Sequence, residues 1–292
     1  MILNISGRTD IVAFYTPWLM NRIKEGFVDV RNPFYPKKIS RIYFSDIDLI
    51  VFCTKNPLPI LPYLKDIKIP INFQVTLTPY NKDIEPNVID KNKIIEGIKE
   101  ISKIVGIDNV YVRYDPILIN NKYTISYHIK AFEKLCGLLN GFVKHIIISF
   151  VDQYKNVEKN KNYLKLKEIT NEKIEKIGMN FSEIGKKYNI ALQTCYEEND
   201  LSKFGFIKEP CVSKEYAFKL TGKKFPKWQA RKCGCVQMVD IGEYNSCNHL
   251  CKYCYANYDE KRVKNNILKH DASSSMLIGN LQEDDEVKIR EK

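Results

Sequence analysis

The chain has 292 residues, 44% hydrophobic and 28% charged, a globular composition long enough for one large α/β barrel or two smaller domains. No run of roughly 18 or more apolar residues occurs and the start, MILNISGRTD, lacks a basic segment followed by an apolar one, so neither a membrane span nor a signal peptide is expected. The net charge of +11 suggests nucleic acid, yet only 8 of the 46 basic residues are Arg, and lysines stand beside glutamates on helical faces such as KNKIIEGIKEISKIV. A solvated surface is the plainer account; an anionic substrate or a nucleic-acid partner stays open.

Short β-rich runs alternate with helical stretches. The strands are expected at ILNIS (2–6), LIVFC (49–53), INFQVTL (71–77), VYVRY (110–114), IIISFV (146–151), IALQTC (190–195) and VQMVDI (236–241). Helical periodicity fills 13–24, 92–105, 127–139 and 171–187, and 24–44 reads as a β-hairpin turning at NPFYPKK. Near-continuous apolar strands separated by helices predict a parallel sheet with helices outside, in a TIM-like (β/α) barrel, complete or partial. Residues 1–280 form one domain on this account, with a cysteine-rich region at 195–257. The tail 281–292 is charged and expected to fray.

Active sites of such barrels gather at the carboxyl ends of the strands, and polar residues are dense there. Arg8 and Asp10 follow the first strand, Lys55 and Asn56 the second; Gln74 and Thr76 lie in the third. Arg113 lies in the fourth, which leads to Asp115, and Asp152 ends the fifth, which holds Ser149. A single such charge is more often a cap or salt bridge than a catalyst. Charges at the same end of several strands are costly to bury without partners or ligand.

The last strand leads into CNHLCKYC at 247–254, with Cys247, Cys251 and Cys254 spaced C-x3-C-x2-C and Tyr253 before the third cysteine. Three thiolates at that spacing can hold three irons of a [4Fe-4S] cluster and leave the fourth iron open. Zinc is the alternative, with His249 inside the loop as a fourth ligand. A disulfide knot is disfavoured in a chain expected to be cytoplasmic. Cys195, Cys211, Cys233 and Cys235 form a second group that could close around another iron–sulfur cluster or a structural zinc, unless they are two core cysteines and a CGC turn. Cys53 and Cys136 read as core residues, His128 and His145 as element ends. The Ser-rich stretch after His270 has no assigned destination.

The CNHLCKYC string resembles the signature of the radical S-adenosylmethionine (SAM) superfamily, C-x3-C-x-aromatic-C. That resemblance implies SAM chelated at the open iron and cleaved by one electron to methionine and a 5′-deoxyadenosyl radical, with Tyr253 at the adenine. A flavodoxin- or ferredoxin-like donor would supply the electron. In ordinary members the cysteine loop follows the first strand; here strand, loop and helix come last, so the chain looks like a circularly permuted version. The strings SGRTDI, VRNPF, TKNP, EPN, RYDPI, SFVD and DIGEYNSCNHLCKYCYAN also resemble domain-of-unknown-function family 1848, which brings no established substrate. The resulting expectation is a SAM-dependent radical enzyme on an unidentified substrate, with an anionic one left open. Arg8, Lys55 and Arg113 would grip carboxylate or phosphate. Asp10, Asp115 and Asp152 would hold hydroxyls or an amine, and Asn56, Gln74 and Thr76 are further cofactor contacts. The rival expectation is a non-catalytic zinc or iron–sulfur module, associated with nucleic acid.

Overall fold

The computed structural model describes residues 1–229 and 233–292. In chain order its strands are β1 (Ile2–Ile5), β2 (Phe27–Arg31), β3 (Lys38–Tyr43), β4 (Leu49–Thr54), β5 (Ile71–Thr76), β6 (Val110–Ile117), β7 (His145–Phe150), β8 (Ala191–Thr194), β9 (Val239–Asp240) and β10 (Glu286–Ile289). The helices are α1 (Ile11–Phe14), α2 (Thr16–Glu25), α3 (Lys91–Val105), α4 (Ile125–Leu139), α5 (Lys155–Lys159), α6 (Lys161–Leu164), α7 (Asn171–Lys187), α8 (Lys214–Thr221) and α9 (Glu260–Leu268).

Seven strands form one parallel sheet in the order β8-β7-β6-β5-β4-β1-β9. From β1 to β8 the order runs one way, without the reversal that marks a doubly wound sheet. Helices α3, α4 and α7 pack on the sheet face that carries Leu3, Ile50 and Ile148, while α8 packs with Ile2, Val51 and Ile147 of the other face. The sheet is an open wall: among the described residues no pairing joins β8 to β9.

The strands form because they are apolar on both faces. Leu49, Ile50, Val51 and Phe52 of β4 are all buried, as are Ile146, Ile147 and Ile148 of β7. The helices form because one stripe is apolar. α3 buries Ile94, Ile95, Ile98 and Ile101; it begins where the Asp90 carboxylate accepts the Asn92 N–H and ends at Gly106. α4 and α7 lock through Phe132 and Phe181, stacked 3.8 Å apart.

The expected hairpin is β2–β3, antiparallel, and β10 adds to it in parallel to make a second, three-stranded sheet. The tail is therefore not frayed. β10 is exposed throughout but pairs its backbone with β3, and Arg31 grips the Asp285 carboxylate at 2.6 and 2.7 Å. The Ser-rich stretch wraps α2 rather than the strand ends: Trp18 Nε1 donates to Ser274 O at 2.9 Å and Arg22 Nη2 to Ser273 O at 3.0 Å. No helix among the described residues is long and apolar enough to cross a membrane.

The last wall strand stands beside the first, with Leu3 opposite Val239 and Asn4 opposite Asp240. Only two residues of β9 are paired, so side chains hold this seam. The Asp240 carboxylate accepts from Asn4 Nδ2 (2.9 Å), Ser6 Oγ (2.6 Å), Gly7 N (2.7 Å) and Gly242 N (2.8 Å). Gly242 is required by the same closeness, because a Cβ there would lie 1.9 Å from Ser6 Oγ. Replacing Asp240 by Ala leaves four donors at the seam without their acceptor. The variant is expected to lose about 3 kcal/mol or more in urea unfolding; an unchanged midpoint would show that the seam is held otherwise.

Candidate functional site

The loop between β9 and α9 carries Cys247, Cys251 and Cys254. Asn245 and Leu250 adopt left-handed backbone conformations (φ 54° and 55°) that fold it tightly. Its carbonyls are held from three sides. Tyr15 Oη donates to Ser246 O (2.6 Å), Asn87 Nδ2 to Asn248 O (2.7 Å) and Asn160 Nδ2 to Lys252 O (2.6 Å). The loop in turn donates from Lys252 N to Ile84 O at 2.9 Å.

The three thiols interact electrostatically with one another. Burial pushes all three pKa values up, and the mutual charge adds to the rise at Cys247 and Cys251, where three thiolates without a cation would repel. Lys55 works against the rise at Cys251 and Cys254. The Cys247 sulfur accepts the His249 N–H and that of Cys254 the Ala256 N–H.

Asp10 and Lys55 meet this loop as expected, although Asp10 does so as a hub. It caps α1 by accepting Ala13 N at 2.9 Å, and it accepts Thr54 Oγ1 and Lys55 N, both at 2.7 Å. Its remaining contact is His249 Nε2 at 2.9 Å. The other ring nitrogen, Nδ1, is buried without a hydrogen-bond partner.

Glu85, in the loop after β5, is the centre that residue-by-residue reading of the sequence missed. It is 1% exposed. It accepts Lys55 Nζ at 2.8 Å and Thr78 Oγ1 at 2.6 Å, and further bonds from Lys91 and the Tyr253 hydroxyl. Burial raises the Glu85 pKa, but the two ammonium groups outweigh it and hold the carboxyl down at about 2. Burial lowers that of Lys55, and the charges of Glu85, Cys251 and Asp115 more than reverse this. At Lys91 burial and the Lys55 charge win, leaving it below the ordinary lysine range. Tyr253 is thus turned inward, under Lys55 (5.5 Å above its ring) and against Tyr80.

A second polar set lies on β5 and β6. β6 runs on to Ile117 past a register shift, so Asp115 lies within the strand rather than beyond it. Arg113 Nε donates to Asp115 at 2.9 Å, and Nη1 to Gln74 Oε1 (3.0 Å) and Cys211 Sγ (3.4 Å). Ser149 Oγ donates to the other Asp115 oxygen. The thiols continue from there. Cys211 Sγ donates to Cys195 Sγ at 3.3 Å, Cys211 also bonds Cys235, and Cys235 bonds Cys233. The bond to Cys235 pulls the Cys233 thiol down to about 6, while the thiols at Cys195, Cys211 and Cys235 are pushed up. Among the described residues no group of three or more His, Cys, Asp or Glu is arranged to hold a metal ion as it stands. Both thiol groups are hydrogen-bonded or mutually repelling, so metal loading would have to exchange those contacts for metal–sulfur bonds.

The other expected residues are dispersed. Arg8 lies 5.5 Å over the Tyr244 ring and reaches Gly242 O at 3.4 Å. Asp152 is exposed at the rim, where it bonds the Tyr154 hydroxyl. Asn56 spends its side-chain oxygen on Leu58 N (3.2 Å) in a local turn. Thr76 lies in register with Arg113 at the end of β5. Glu197, past β8, accepts Phe150 N at 2.9 Å and is raised by burial to about 7. His128 is a core residue between Tyr114 Oη and Leu118 O, each at 2.9 Å.

A family model described as domain of unknown function (DUF1848) matches residues 2–256, and the chain belongs to that family. No curated protein matches the chain.

Replacing Glu85 by Ala strands two ammonium groups beside the cysteine loop. The expected cost is about 3–5 kcal/mol in urea unfolding. Lys91→Ala should cost less, since its side chain is 31% exposed against 14% for Lys55. Equal costs for the two lysines would refute the central place given to Lys55.

Proposed function

We propose that this member of the DUF1848 family is an iron–sulfur, SAM-dependent radical enzyme acting on an unidentified anionic substrate. The observation that carries the proposal is the convergence of three thiols, Cys247, Cys251 and Cys254, on one loop at the carboxyl end of the parallel wall. Three thiolates would hold three irons and leave the fourth for SAM. When bound, the group supplies one-electron cleavage of SAM, fed by a flavodoxin- or ferredoxin-like donor. The strand order supports a circular permutation: placing β9 first makes the wall run β9-β1-β4-β5-β6-β7-β8.

The protein's own residues do the rest. Lys55 offsets negative charge at Cys251 and Cys254. Glu85 fixes Lys55 and turns Tyr253 inward, so any adenine contact at this position falls to the Tyr253 backbone or ring edge. Arg113 is held by Asp115, Gln74 and Cys211, so an anionic group would reach its guanidinium only by displacing one of these contacts. The Cys195, Cys211, Cys233 and Cys235 group is the place for a second iron–sulfur cluster or a zinc.

One observation favours a second reading, a fully ligated, non-catalytic metal module. His249 carries its Nε2 on Asp10 and leaves Nδ1 buried and unpartnered, the pattern of a ligand imidazole steadied by a carboxylate. Three thiolates and this nitrogen would close a zinc or cluster site.

The two readings separate on anaerobically reconstituted protein. Radical chemistry expects Ala at 247, 251 or 254 to abolish reductive SAM cleavage and to lower the iron content, with His249→Ala keeping the parent's iron content. Loss of the metal in His249→Ala, with no SAM cleavage by the parent protein, would establish the closed site instead.

For the second thiol group, the triple variant with Ala at 247, 251 and 254 is expected to retain iron or zinc. A folded triple variant with neither metal would remove that site.

A further inference from the structure

Beside the cysteine loop lies a cleft of about 450 Å³ lined by Tyr154, Lys155, Asn156, Tyr244, Tyr255 and Tyr258. It belongs to none of the groups described above, and its volume is that of a small-ligand site. Four of its six lining residues are tyrosines, set in two pairs. Tyr154 and Tyr255 have ring centroids 5.5 Å apart; Tyr244 and Tyr258 are stacked at 5.6 Å. Tyr154, Tyr255 and Tyr258 are each more than two-fifths exposed, large for aromatic rings this close together.

The frame is built. Asn156 is buried and donates to Cys254 O (3.3 Å) and Tyr255 O (3.2 Å), tying α5 to the cysteine loop. Asn245 accepts Tyr258 N at 2.6 Å, and the Tyr255 hydroxyl donates to Gly7 O past the end of β1. The cleft therefore opens at the strand carboxyl ends.

Its charge selects among aromatic-site ligands. Arg8 already sits over the Tyr244 ring, Lys155 lines the cleft, and Lys159 donates to Tyr258 O at 3.3 Å. Three carboxylates are nearby: Asp152 is bonded to the Tyr154 hydroxyl, Glu243 interacts with Arg8 and Asp259 with Lys159, while Lys155 adds its charge to the lining. A quaternary ammonium, the usual guest of an aromatic cage, would meet these cations. A planar ring carrying a negative group meets tyrosine faces and cations together, the combination that binds bases and their phosphates. We infer that the tyrosine cleft binds a nucleotide, its base stacked on the tyrosines and its phosphate toward Arg8, Lys155 and Lys159. The inference stands on the cleft alone and goes beyond the cluster assignment, so it survives or fails separately from it.

The test is binding to the purified full chain, by fluorescence anisotropy with a labelled eight-nucleotide single strand and by calorimetry with nucleoside monophosphates. Tyr258→Leu is expected to weaken binding about tenfold, and Tyr258→Phe to restore it to within about twofold. Lys155→Gln should weaken binding and flatten its salt dependence. Tight binding of monophosphates identifies a free nucleotide as the guest; binding of the strand alone identifies nucleic acid. The inference is overturned if neither probe binds, if ribose 5-phosphate binds as well as a nucleotide, or if Tyr258→Leu, with an unaltered melting curve, binds as the parent does. Competitive displacement of the probe by SAM would give the cleft to that cofactor and overturn it too.

Discussion

A single carboxylate makes the rest of the architecture possible. β9 contributes two paired residues to the wall, too few to fix a strand at a sheet edge by backbone bonds alone. Asp240 compensates by collecting four donors from β1, the turn after it and its own loop. Each charge-assisted bond is worth more than a neutral one, and a buried carboxylate so satisfied fixes register as well as contact. The consequence is positional. The cysteine loop begins two residues later, so it emerges at the end of the wall where β1, β4, β5 and β6 present Asp10, Lys55, Thr76 and Arg113. Without that seam the loop would lie on a long connection after α8, with no reason to face those residues.

The strand ends themselves are organised by a second buried carboxylate. Desolvation alone would keep Glu85 protonated; two lysines and two hydroxyls keep it ionised. One anion between two cations leaves an excess of positive charge, and the shifts of the lysines divide accordingly. Lys55 is held charged, while Lys91, nearer solvent, carries the cost of the arrangement. That excess acts on two of the three thiols, Cys251 and Cys254, whose ionised forms need it. The backbone of the Glu85 loop also touches the cysteine loop, through Lys252 N on Ile84 O and Asn87 Nδ2 on Asn248 O. Charge and position are therefore set by the same segment.

The wall was legible in the sequence because it rests on burial. Strands apolar on both faces and helices with one apolar stripe stand where those patterns place them from Ile2 to Thr194, whereas the last expected strand, 236–241, shrinks to Val239–Asp240; the hairpin at 24–44 is the observed β2–β3 pair. β10 was illegible for the complementary reason. All four of its residues are exposed, and it is held by backbone pairing and the Arg31–Asp285 ion pair, neither of which leaves a periodic trace. Glu85 and Asp240 look like surface acids in one dimension; their partners, Tyr253 and Ser6, lie 168 and 234 residues away. The position of Tyr253 could be read from the C-x3-C-x2-C spacing, but not its direction. The ring turns into the protein because the Glu85 oxygen is there to receive its hydroxyl. For Asn56 the spacing pointed to a ligand contact where local turn geometry takes the side chain instead.

The two thiol groups share one construction, and the difference between them is chemical. In each, sulfur faces a cation, the cation is fixed by a carboxylate, and the carboxylate is tied by hydroxyls. Cys251 and Cys254 face Lys55, then Glu85, then Thr78 and Tyr253. Cys195 and Cys211 face Arg113, then Asp115, then Ser149. In both the cation lowers the cost of a thiolate that burial would otherwise forbid. Arginine, however, keeps its charge under all conditions and its planar fork is fully committed to Asp115, Gln74 and sulfur, which suits a closed set of four thiols. Lysine is a compact charge with rotatable donors. Lys55 Nζ donates to Glu85, whereas the Arg113 fork divides among Asp115, Gln74 and Cys211. Of the two groups, the one with three thiols is thus also the one whose counter-charge is held by fewer bonds.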